Sequence, residues 1–163
     1  MEKRNKIILI IAALFIVTLA IPSYSWTKQN VKDIEAFHNS KLSPIIMIPG
    51  SSATENRFDS LVTKLNTNRQ GIKHSLLKVK VWNNGQITYS GSIAANDNEP
   101  VIVVGFENNK DGYSNIKKQA KMFDAAFKDL QNKYNFNNFK GLGHSNGGLI
   151  YTAFIEKYLV NYD

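Results

Sequence analysis

The chain contains no cysteine. That excludes a disulfide framework, a thiolate zinc or iron–sulfur site, a cysteine nucleophile and a lipid-modified N-terminal cysteine. Arginine is nearly as scarce. Of 20 basic residues 17 are lysine, and the three arginines (Arg4, Arg57, Arg69) lie far apart. Nucleic-acid readers concentrate arginine on one face. Here lysines are scattered and interleaved with acids, and the 19 asparagines share A-rich codons with lysine. Base composition therefore suffices to account for the net charge of +7, and no nucleic-acid partner is expected. Histidine is limited to His38, His74 and His144. Phosphate-cradling G-x-x-x-x-G-K and metal-binding H-x-x-x-H spacings are both missing, so no cofactor is expected.

What is present begins with a leader. Lys3, Arg4 and Lys6 precede an uncharged apolar run, Ile7–Ile21, which Pro22 is expected to end. A basic flank before an apolar core is the layout of an export signal. Fifteen helical residues span about 22 Å, short of the ~30 Å hydrocarbon core, but counting through Trp26 gives a spanning length. Two outcomes stay open. One is a cleaved signal peptide, with Ser23 and Ser25 flanking a cut before Trp26. The other is an uncleaved anchor with its positive side inside. Either places the rest of the chain outside the cytoplasm, at the membrane's outer face or secreted. The expected organisation is a leader or anchor over 1–26, a linker over 27–43 and one domain over 44–163.

The body alternates buried-strand and amphipathic-helix patterns. Pro44–Gly50 and Val101–Phe106 are apolar on both faces, as in a parallel sheet. Phe58, Leu61, Val62 and Leu65 have helical spacing within 56–65. Leu76–Trp82 and Gln86–Gly91 alternate around Asn83-Asn84-Gly85, a hairpin signal. Ser114 is placed to cap a helix running to about Tyr134, with lysines 117, 118, 121, 128 and 133 on its solvated face. A weak strand over 136–142 and a helix over 149–159 close the chain. The expected class is α/β with a mostly parallel sheet and flanking helices.

Gly143-His144-Ser145-Asn146-Gly147 matches G-x-S-x-G. Such a match arises by chance in roughly 5% of chains this long. Its position after an expected strand and before an expected helix gives it meaning. A serine attacks a carbonyl only when a base takes its proton, and it must project from a sharp strand-to-helix turn that flanking glycines permit. Ser145 is the candidate nucleophile, with Gly143 and Gly147 as the elbow glycines. The backbone N–H of Asn146 is a candidate oxyanion donor, and the loop Pro49-Gly50-Ser51-Ser52 is expected to supply the second, with Ser51 preferred over Ser52. His144 is expected to pack under the turn, and His74 to lie on the surface before a strand.

These residues resemble the α/β-hydrolase superfamily and, more narrowly, the DUF915 family of exported or membrane-anchored bacterial hydrolases. The resemblance rests on Pro44–Gly50, the hairpin over 79–91, Pro100–Phe106 and the elbow 143–148. It implies hydrolysis of an ester, thioester or amide through an acyl-enzyme on Ser145, with a small-molecule, acyl or peptide substrate and the membrane as partners. It also implies a triad in the order Ser, Asp, His. After Ser145 the chain offers only Glu156 and Asp163 and no histidine, so the triad acid and base are not present in it. The chain therefore reads as the N-terminal part of a hydrolase fold, incomplete at its C-terminus and inactive alone. The alternative is a non-catalytic, membrane-tethered binding module with a degenerate hydrolase fold.

Overall fold

A computed structural model describes residues 2–37, 40–68, 70, 71, 73–159 and 162. The chain forms two compact units, Met1–Asn39 and Ser40–Asp163.

The first unit is one helix, α1 (Glu2–Phe37), with Pro22 inside it. Pro22 does not end the helix, and residues 27–37 continue it, so no break marks the expected boundary at Trp26. Proline removes one N–H donor from the ladder. Thirty-six residues of helix, cooperative on both sides of that gap, outweigh the loss. The nearby hydroxyls are also absorbed by the helix. Thr18 donates to the Leu14 and Phe15 carbonyls, Ser23 to Leu19 and Thr27 to Ser23. Asn5–Lys28 is apolar (mean hydropathy 2.6 over its most apolar window) and exposed on all sides. Its 24 residues measure about 36 Å, long enough to cross a bilayer.

Among its described residues the second unit has five strands: β1 (Ile45–Ile48), β2 (Leu76–Val81), β3 (Ile87–Gly91), β4 (Val101–Phe106) and β5 (Lys140–Gly143). They lie in the order β3-β2-β4-β1-β5. All neighbours are parallel except β3, which pairs antiparallel with β2. The hairpin closes through Trp82 N–H to the Gln86 carbonyl, with Gly85 at φ 86° where the turn requires a positive angle.

Among the described residues three helices cover the sheet: α2 (Asp59–Asn68), α3 (Tyr113–Tyr134) and α4 (Asn146–Lys157). Strand alternation sorts the core into two layers. Met47, Val101 and Val103 face Phe58 and Val62, which brings α2 to one side. Ile46, Ile48, Ile102, Val104 and the β2 residues Leu77, Val79 and Val81 face α3 and α4 on the other. There Phe123, Phe127 and Phe154 pack edge-on or tilted, with ring centres 4.7–5.9 Å apart. The helix α3 begins one residue before Ser114. Gly112 holds its N-cap position without a side-chain cap, and Asn135 ends it in the left-handed region with its N–H on the Gln131 carbonyl.

Two polar residues sit deeper than sequence patterns suggest. His74 is buried, not on the surface: its N–H donates to Asn66 Oδ1, and Nδ1 lies 2.6 Å from the Glu99 carbonyl. Asp97 is buried beside it and accepts from the Ser75 and Glu99 amides. Both close loops at the N-terminal ends of β2 and β4, where backbone groups need partners. His38 lies outside the described residues.

Candidate functional site

The C-terminal ends of β1, β4 and β5 share one rim of the sheet. The chain leaves β1 toward α2 and leaves β4 toward α3 on the opposite face. Loops diverging this way open a crevice at the strand ends, the usual ligand position in open α/β sheets. Ser145 lies in that rim, between β5 and the first residue of α4.

The turn there is tight and strained. Ser145 adopts φ 53°, ψ −122°, a conformation that side chains rarely occupy. Three hydrogen bonds hold it: His144 N–H to the Ile48 carbonyl, Gly147 N–H to His144 and Gly148 N–H to Ser145. Close backbone approach explains the glycines. A Cβ on Gly147 would fall on the Ile48 carbonyl oxygen, and one on Gly143 would strike the Gly147–Gly148 backbone. A Cβ on Gly50 would sit 3.0 Å from that of Ser145, so the Pro49–Ser52 loop lies directly against the serine. Gly141, a poor strand former by propensity, leaves room for the Tyr151 ring, whose hydroxyl donates to the Ile46 carbonyl at 2.7 Å.

The structure brings both candidate donor segments to the serine. The amides of Ser51 and Asn146 donate to no acceptor among the described residues. Ser52 is different: its N–H is taken by the Asn109 carbonyl at 2.8 Å, and its φ is 60°. Asn146 also opens the 12-residue α4, whose N-terminal end carries partial positive charge. Ser145 itself is exposed, whereas Asn146 is buried.

His144 is exposed and does not pack under the turn. Its Nδ1 lies beside Gly50, at the end of the edge strand β5. Glu156 is exposed on α4, eleven residues beyond Ser145. Among the described residues no group of His, Asp and Glu could hold a metal ion. A groove of about 670 Å³ between the hairpin turn and α3, including Trp82, Asn108, Lys118 and Lys121, does not contain Ser145.

One residue of the rim escaped sequence reasoning. Asp111, in the loop between β4 and α3, accepts a hydrogen bond from Asn146 Nδ2 at 2.8 Å. That bond, with a second from the Gly112 N–H, holds its carboxyl below the usual range. Nothing in the sequence pairs two residues 35 positions apart.

A mostly parallel sheet flanked by helices, with a strained serine between strand and helix at its C-terminal rim, defines the α/β-hydrolase class. Within it the chain belongs to the DUF915 family, α/β-hydrolases of unknown function, whose profile matches residues 32–162. It is similar to a solved candidate cell surface hydrolase from Lactobacillus plantarum WCFS1, with 58% identity and a TM-score of 0.69 over 75% of this chain and 48% of that one. It is also similar to the lin2722 gene product of Listeria innocua, with 31% identity and a TM-score of 0.62 over 72% of this chain and 45% of that one. The chain thus spans about half the length of these two proteins. A comparison with curated proteins finds no match.

Proposed function

We propose that this is a membrane-anchored serine hydrolase acting outside the cytoplasm, which cleaves an ester, thioester or amide through an acyl-enzyme on Ser145. The observation that carries the reading is the strained Ser145 turn with two unclaimed amides, Ser51 and Asn146, in the segments beside it. In this reading Ser145 Oγ attacks the carbonyl carbon while its proton passes to a general base. The carbonyl oxygen takes up negative charge and accepts from the Ser51 and Asn146 amides. Collapse breaks the bond to the alcohol, thiol or amine, which leaves with the base's proton. Water then attacks the acyl-enzyme as its proton passes to the base; the bond from the acyl carbon to Ser145 Oγ breaks, the base returns that proton to Oγ, and the acid is released.

The histidine base and its carboxylate are not among these 163 residues, and the reading assigns them to sequence beyond them. The length of the solved relatives, about twice the span matched here, supports this. The apolar segment Asn5–Lys28, with Lys3 and Arg4 before it, supports an anchor with its positive flank inside. The cell-surface description of the Lactobacillus protein points the same way.

The test uses the complete protein from its own membrane fraction, with its intact mass compared with 18.4 kDa. A fluorophosphonate should label Ser145, and Ser145→Ala should lower ester hydrolysis by about 10⁴-fold or more. Unchanged turnover in that variant sinks the assignment. No labelling and no turnover in the native protein would put the tethered binding module in its place.

A further inference from the structure

We propose that the loop between β4 and α3, residues 107–112, is the positioning element of the oxyanion hole, with Asn109 setting the Ser51 side and Asp111 the Asn146 side. This rests on the reading of Ser145 as nucleophile.

The loop is stiff before it touches anything else. Buried Gln119 donates through Nε2 to the Asn108 carbonyl at 2.6 Å and the Lys110 carbonyl at 3.0 Å. Asn108 Nδ2 donates to Asn115 Oδ1, and Asn115 Nδ2 donates to the Asp111 carbonyl at 2.7 Å. Outward from this frame run two separate tethers. The Asn109 carbonyl accepts the Ser52 N–H, and Asn109 Nδ2 donates to the Ala53 carbonyl at 3.1 Å. These bonds engage Ser52 and leave the neighbouring Ser51 amide unclaimed. The second tether is Asp111 Oδ1 on Asn146 Nδ2.

An isolated buried amide needs any acceptor, and the Asp111 bond alone would satisfy that need. One braced loop reaching both donor-bearing segments is a different arrangement, because an oxyanion hole depends on the spacing between its two donors. Displacement of a reacting geometry by about 1 Å costs on the order of 10²-fold in rate. Asn109 and Asp111 would touch no substrate. They act through Ser51 and Asn146.

The test takes the complete protein and the variants Asp111→Ala, Asp111→Asn and Asn109→Ala. Amide hydrogen exchange is read over 49–54 and 144–149, alongside kcat and KM for p-nitrophenyl acetate. Asp111→Ala should speed exchange over 144–149 and Asn109→Ala over 49–54, with β4 still protected. Each should lower kcat by about tenfold or more with KM within about twofold. Asp111→Asn should restore both readouts, since its side-chain oxygen still accepts from Asn146. Unchanged exchange in both alanine variants overturns the inference. So does an Asp111→Asn variant as impaired as Asp111→Ala, or loss of β4 protection, which would make the loop general support. The exchange arms do not depend on turnover, whereas a Ser145→Ala variant that still hydrolyses ester refutes the nucleophile itself.

Discussion

Replacing Ser145 by glycine should stabilise the fold. Ser145 holds φ 53°, ψ −122°, where a Cβ is crowded and glycine is at ease. Holding a non-glycine residue there costs on the order of 1–3 kcal/mol. Glycine returns about 0.5–1 kcal/mol of that through the greater freedom of the unfolded chain. The net expectation for Ser145→Gly is a gain of roughly 0.5–2 kcal/mol over Ser145→Ala, which keeps the Cβ and therefore the strain. Both variants lack the hydroxyl, so the comparison isolates the backbone. Urea unfolding of the 163-residue chain in a Trp26→Phe background reports it, followed by fluorescence of Trp82 in the Ser40–Asp163 unit. The midpoint should rise in the glycine variant, with a melting temperature higher by roughly 2–8 °C. A glycine variant no more stable than the alanine variant would refute the reasoning, because the turn would then store no strain at position 145. Under the function proposed above, the same variant would pair higher stability with lost activity.

Three further outcomes follow from the same geometry. Gly147→Ala should destabilise by about 2 kcal/mol or more, since its Cβ meets the Ile48 carbonyl, whereas Gly148→Ala, with its nearest neighbour 3.9 Å away, should be neutral or better in the same unfolding assay. Tyr151→Phe should cost about 1–2 kcal/mol by removing the buried hydroxyl's bond to the Ile46 carbonyl, and a midpoint equal to wild type would exclude that bond. Asp111 should titrate below the ordinary aspartate range by carboxylate NMR. The Asn146 side-chain amide signals should move at the same pH, because the bond to the charged carboxylate is present at neutral pH and weakens as pH falls through the depressed folded value. Titration at the ordinary value would contradict the contact.

Local periodicity and local chemistry were enough for the class and for the crowded turn around Ser145. Val101–Phe106, apolar on both faces, had to be an inner strand, and it is buried along its whole length. The glycines around Ser145 announced a crowded turn because only glycine tolerates backbone at that distance. Short-range signals misled where a longer context prevailed. Pro22 reads as a stop, yet the helix runs on either side of it to Phe37. Ser114 reads as a cap, yet the helix opens at Tyr113. His74 reads as surface, yet Asn66 and Glu99 enclose it.

The sequence by itself determined which residue types meet at the turn after β5: a serine, its glycines and the residue that follows it. Only the tertiary structure decided that the Ser52 amide is taken by Asn109 while that of Ser51 is not, why Gly141 must face Tyr151, and that Asp111 holds Asn146. The reason is physical. A turn is built from neighbours in the chain, so its requirements are written in consecutive letters. A hydrogen bond between loops depends on strand order and on which face each crossover covers, and those are settled only when the whole sheet assembles.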